Sequence, residues 1–195
     1  MKKVGYRPRL TKEEQYIINE YRNNTDNRVL VIGDVHAPFG KEGYLQFCIE
    51  TYKKYQCNKV VNHDAIIMRK AQSSSIPSKW IKNYNEVLGT PNWKWVTDVI
   101  IDDVRYVHGH KSSKARTAAK RDMQSTVTGH FHTDMYVEWM FGANKAVFAM
   151  AVGCGIDSKS YAMGYMQGGK KEAIGCGVVL DNGKTPINVK MDLCD

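Results

Sequence analysis

The chain has no C-x-x-C pair: its five cysteines, Cys48, Cys57, Cys154, Cys176 and Cys194, are an odd number and widely spread. That excludes a zinc ribbon or a dithiol redox centre and predicts reduced, mostly buried thiols. No stretch approaches the ~18 consecutive apolar residues that a membrane helix needs. Met1-Lys2-Lys3 leads into Arg7, Pro8 and Arg9 without the apolar run of an export signal. The expected location is therefore cytoplasmic, with no membrane partner. Internal repeats, low-complexity tracts and linkers are also missing. With 195 residues and 43% apolar content, the reading is one domain, residues 1-195, in which residues 1-27 form an N-terminal helical extension. Acidic charge is short as well: 28 Lys and Arg against 20 Asp and Glu leave a formal charge of +8. Such a surface attracts nucleic acid, nucleotides, phosphoproteins and acidic membranes alike, so charge alone selects no partner.

What is present is α/β patterning. Thr11 followed by Glu14 is a capping box, and the apolar stripe Tyr16, Ile17, Ile18, Tyr21 predicts a helix over 11 to 23. Val29 to Ile32, stopped by Gly33, reads as a strand buried on both faces. Helical spacing over 41 to 56 leads into a second strand at Lys59-Val60-Val61, giving a β-α-β start. Ser78 and Gly89 bound another predicted helix. Strands are then expected at 95 to 101, 104 to 108, 125 to 128, 135 to 141 and 146 to 152, with a basic helix over 114 to 123. A final hairpin joins 174 to 180 and 187 to 191 through Asp181-Asn182-Gly183.

All six histidines fall in four short clusters: Asp34-Val35-His36, Asn62-His63-Asp64, His108-Gly109-His110 and Gly129-His130-Phe131-His132. Residues two apart in an extended segment project to one side, so Asp34 with His36, and His130 with His132, can each converge on a shared cation. Oxygen and imidazole donors without a thiolate suit Mn, Fe or Zn, with Ni and Mg as further candidates.

In this order, D-x-H, N-H-D, H-G and G-H-x-H resemble the signature of the calcineurin-like metallophosphoesterases, over about residues 28 to 192. The segments Tyr106-Val107-His108-Gly109, Gln124 to His130 and Val152 to Asp157 look most like the small phage and prophage members. The resemblance implies an α/β fold of two packed mixed sheets flanked by helices, a four-layer α/β/β/α arrangement with the site on one rim. It implies that Asp34, His36 and His132 hold a first metal and Asn62, His108 and His130 a second. It also implies hydrolysis of phosphate esters by a metal-activated hydroxide. His63 would protonate the leaving group and Asp64 would orient its ring.

One part of the pattern is missing. The family has G-D-x-x-D, whose first Asp bridges both metals, followed by a helix and a strand. Here Lys59-Val60-Val61 runs straight into Asn62, and Val61 replaces the expected Gly. Two dications about 3.5 to 4 Å apart repel by roughly 16 to 20 kcal/mol at an effective dielectric near 20. A bridging carboxylate offsets much of that. Three arrangements stay open: a single metal, two metals bridged by hydroxide or substrate phosphate, or Asp64 moved into the bridging place. Loss of a β-α unit also leaves apolar surface that predicts self-association. The alternative to an enzyme is an impaired remnant that binds metal, phosphate or nucleic acid. His110, Lys111, Lys114 and Arg116 follow the ligand His108 and are candidates for holding substrate phosphates. Trp80, Trp93 and Trp95 read as core residues more readily than as base-stacking ones.

Overall fold

Four apolar residues in succession leave a strand no polar face, and β1 (Val29–Ile32) accordingly lies inside a sheet. In the computed structural model, which describes residues 26–36, 40–63, 94, 96, 98–109, 114–157 and 171–192, β1 is flanked on one side by β2 (Lys59–Asn62), in parallel. On its other side β8 (Gly175–Leu180) is antiparallel, and β9 (Thr185–Lys190) completes the order β2-β1-β8-β9. The helix α1 (Tyr44–Lys54) makes the crossover between the two parallel strands. A second mixed sheet contains β3 (Asp98–Ile101), β4 (Val104–Val107), β5 (Ser125–Thr128), β6 (Met135–Phe141) and β7 (Ala146–Val152), in the order β3-β4-β5-β7-β6. Between β4 and β5 runs α2 (Ala115–Asp122).

Alternation along each strand divides the apolar side chains between faces. Val29 and Val31 of β1 and Val179 of β8 pack with Val104, Tyr106, Val127, Phe148, Met150 and Val152, which joins the two sheets. The intervening Leu30, Cys176 and Val178 pack instead with Tyr44 and Cys48 of α1. Ala149 of β7 meets Ala115 and Ala119 of α2, where only small side chains allow the helix so close. The expected α/β class with two mixed sheets is what the chain adopts.

The hairpin turns follow their sequence. Asp102 and Asp103 both take positive φ, 51° and 58°, and Asp181, Asn182 and Gly183 take 53°, 52° and 85°. Asp, Asn and Gly tolerate that region best. Several boundaries differ from expectation by one to three residues; β9, for instance, starts at Thr185, not Ile187, and includes Pro186 paired with Val179. Among the described residues β9 is an outer strand, so proline's missing N–H breaks no ladder there. The expected helices at 11 to 23 and 78 to 88, the extension at 1-27 up to residue 25, and Trp80, Trp93 and Trp95 lie outside the described residues.

Tyr44 anchors α1. Its ring is fully buried, its hydroxyl donates to the Gly175 carbonyl at 2.9 Å, and a Cβ on Gly155 would fall within the ring. Tyr44→Ala should cost about 3–5 kcal/mol in urea unfolding, whereas Tyr44→Phe, which loses only the hydrogen bond, should cost about 1–2 kcal/mol. The far side of α1 is bare: Leu45 and Ile49 are 60% and 47% exposed, and Val60 on the neighbouring outer strand β2 is 39% exposed.

Candidate metal centre

Strand ends are where side chains of different elements can meet without disturbing a ladder. Here the C-terminal ends of β1, β2, β4 and β5 lead into Gly33-Asp34, His63, His108-Gly109 and Gly129-His130. Two glycines let these ends close up. A Cβ on Gly129 would stand 2.7 Å from His63 Cβ and 3.2 Å from Gly33 Cα, and one on Gly33 would overlap the Gly153 carbonyl. Backbone hydrogen bonds fix the loops: His63 N to Ile32 O at 3.0 Å, His130 N to His108 O at 3.1 Å, Gly155 N to Asp34 O at 2.9 Å, and Ala173 N to His132 O at 2.8 Å. The ligand-bearing residues are thus held by main chain on both sheets.

At the centre lies Asp34, 1% exposed. Its Oδ2 is 3.3 Å from His132 Nε2 and 3.4 Å from His36 Nε2, and its Oδ1 is 3.4 Å from His108 Nδ1. His130 Nδ1 is 3.0 Å from His108 Nε2. Ligands about 2.1 Å from one cation, at angles between square and tetrahedral, stand roughly 3.0 to 3.4 Å apart. The spacings of Asp34 Oδ2 to His36 and His132, and of His130 to His108 Nε2, match that range. Two groups can hold a metal ion, Asp34 with His36 and His132, and Asp34 with His108 and His130, the ligand atoms of each lying within 4.8 Å of one another. The expected first set is therefore assembled whole. In the second, His108 and His130 come together as expected, and Asp34 joins them.

Asp34 and His36 do meet, but through a left-handed turn at His36 (φ 50°), not through an extended segment. His130 and His132 do not share one set of donors: their rings are 6.5 Å apart and they serve different groups. A turn at His132 and Thr133 swings the second imidazole away from the first.

Electrostatics favour a charged carboxylate. Burial would raise the Asp34 pKa, but the rings of His108, His132 and His36 outweigh it and hold the carboxyl well below the usual carboxylate range. His63 is 4% exposed, and burial pushes its imidazole down to about 4, against the pull of Asp34 and with a small push from His108. Its main chain also matters, because His108 Nδ1 approaches the His63 carbonyl oxygen to 2.5 Å. Only a protonated Nδ1 tolerates that approach. His108 Nε2 is then the lone-pair nitrogen, the tautomer that a metal ligand needs.

Three buried polar atoms at this rim have no hydrogen-bond partner among the described residues: Asp34 Oδ1, His63 Nε2 and Thr128 Oγ1. Buried polar groups are almost always satisfied, so orphans gathered at one place mark a site for something polar. Four imidazoles and a carboxylate at cation spacing make a divalent metal the fitting occupant.

The proposed substrate contacts are only partly in view. Lys114 holds Asp134 at 3.1 Å and lies 5.0 Å over the Phe131 ring, between the two ligand histidines of that loop. Arg116 is paired with Glu138 and stacks 5.0 Å over Tyr136. Both cations already have carboxylate partners. Asp64, His110 and Lys111 lie outside the described residues, and Asn62, half-buried, ends β2 at the same rim. Cys48, Cys57, Cys154 and Cys176 are free and buried, and burial raises Cys57 and Cys154 to about 12, so neither competes as a thiolate ligand. Sequence reasoning missed the double membership of Asp34 and the orienting carbonyl of His63. The first had a signal, the absence of any other carboxylate motif between the first two clusters. The second had none, since a main-chain contact leaves no trace in residue type. No described helix is long and apolar enough to cross a membrane. No protein-family model, curated protein or solved structure matches the chain.

Proposed function

We propose that this protein is a metal-dependent phosphoesterase of the calcineurin-like metallophosphoesterase type, hydrolysing phosphate monoesters or diesters. The observation that carries the reading is the convergence of Asp34, His36, His108, His130 and His132, from three distant stretches of chain, at donor spacings that suit divalent cations. In the same reading α1 and α2 are the outer layers of a four-layer α/β/β/α domain that has lost one β-α unit.

Asp34, His36 and His132 would hold one cation, and His108 and His130, with Asn62, a second. Mn, Fe or Zn fits this donor set best. When bound, such ions supply Lewis acidity toward phosphoryl oxygens and activate water at neutral pH. The chain's own contribution is position. The His63 carbonyl fixes the His108 tautomer, and Asp34 stays ionised among the rings. His63 Nε2, unpartnered among the described residues, is the proton donor to the leaving oxygen, and the family resemblance would give Asp64 the part of orienting its ring. The charge of +8 favours anionic substrates such as nucleotides or nucleic acid.

The test is turnover of p-nitrophenyl phosphate and its diester by chelator-stripped protein reloaded separately with Mn, Fe, Zn, Ni or Mg. At least one metal should give about 1 s⁻¹ or faster, an ordinary enzyme rate, and chelation should remove it. Metal-loaded protein without turnover across the series rejects hydrolysis and leaves a binding module.

A further inference from the structure

Asp34 belongs to both donor groups, and among the described residues it is the one carboxylate in either. Its two oxygens are divided between them: Oδ2 faces His36 and His132, while Oδ1 faces His108. Oδ1 is also one of the buried atoms without a hydrogen bond among the described residues. Oδ1 is thus not taken up by His36 and His132, and the neighbour it has, the His108 ring 3.4 Å away, belongs to the other group. Main-chain contacts fix the backbone that carries it: the Asp34 carbonyl accepts from Gly155 N, and its backbone pairs with that of Cys154.

We infer that Asp34 is a bridging ligand between two cations, Oδ2 to the one held with His36 and His132 and Oδ1 to the one held with His108 and His130. The inference rests on the two-cation reading above and deepens it. A single residue after β1 thereby offsets the repulsion between the ions, and no second acidic motif is required. It follows that the two sites are coupled. A substitution at His36 or at His130 removes a ligand from one cation, whereas a substitution at Asp34 removes a ligand from both at once.

Equilibrium dialysis against Mn²⁺ tests this on the full chain, comparing wild type, His36→Ala, His130→Ala and Asp34→Asn, with circular dichroism to check folding. Wild type should bind two Mn²⁺ per chain, each histidine variant should lose the affinity of one site, and Asp34→Asn should weaken both by tenfold or more. An Asp34→Asn protein that keeps one cation at wild-type affinity overturns the inference, as does a wild type that saturates with one. A second measurement does not depend on the variant folding: electron paramagnetic resonance of two-Mn²⁺ wild type should show a spin-coupled pair, and two independent six-line signals would overturn the bridge. The two proposals fail separately. Coupled cations without turnover of any phosphate ester keep the bridge and remove the hydrolase, while turnover by a protein holding one cation keeps the hydrolase and removes the bridge.

Discussion

His132→Ala should lower kcat for p-nitrophenyl phosphate by about 10³-fold or more at saturating metal. The imidazole is one of three donors in its group, with Nε2 3.3 Å from Asp34 Oδ2. Without it only His36 and one oxygen of Asp34 would face that cation, too few protein ligands to hold a catalytic ion in fixed geometry. The fold should hardly notice. His132 is half-buried, and its place in the loop is secured by its own carbonyl, which accepts from Ala173 N at 2.8 Å. The expected signature is therefore a large fall in kcat with a melting temperature within a few degrees of wild type. A loss below tenfold would mean that the Asp34, His36, His132 group is not where the reaction occurs.

The second large effect concerns His63 and depends on the leaving group. General acid catalysis matters when the departing oxygen is a poor leaving group, so His63→Gln should cost about 10² to 10⁴-fold with an alkyl phosphate. With p-nitrophenol, which leaves well unaided, the loss should be roughly tenfold or less. Burial holds the ring neutral in the free site, and the negative charge of a bound phosphate ester favours the imidazolium. Glutamine is the informative replacement because the ring fills space beneath Gly129, which alanine would empty. The carbonyl that orients His108 survives any substitution. Equal losses with both substrates would make His63 a positioning residue and remove its proton-donor role.

Much of this molecule is legible in its residues, and the physical reason is local. Strand β1 was readable because four apolar residues bounded by Gly33 can satisfy only a doubly buried strand. The hairpins at Asp102-Asp103 and Asp181 to Gly183 were readable because few residue types accept positive φ. The histidine clusters were readable because they fall just past strand ends, where side chains can gather. Other features depend on what a side chain meets across space. Lys114 and Arg116 read as free cations beside the site, yet Asp134 and Glu138, 20 and 22 residues away, pair with them across the gap between α2 and the neighbouring sheet. The burial of His63 is likewise not visible in its cluster, because Gly129, 66 residues on, lies against its side chain.

The residues alone determined the α/β class, the strand boundaries to within a few positions, and which imidazoles and which aspartate are candidate donors. Periodicity, turn chemistry and the donor types of side chains are properties that a residue carries with it. How those donors are divided was decided by the tertiary structure alone. Asp34 and His132 are 98 positions apart, and only the packing of two sheets through their strand ends sets which oxygen of Asp34 faces which ring. Spacing along a chain fixes the direction of neighbouring side chains, whereas the partner each one finds depends on how distant segments dock.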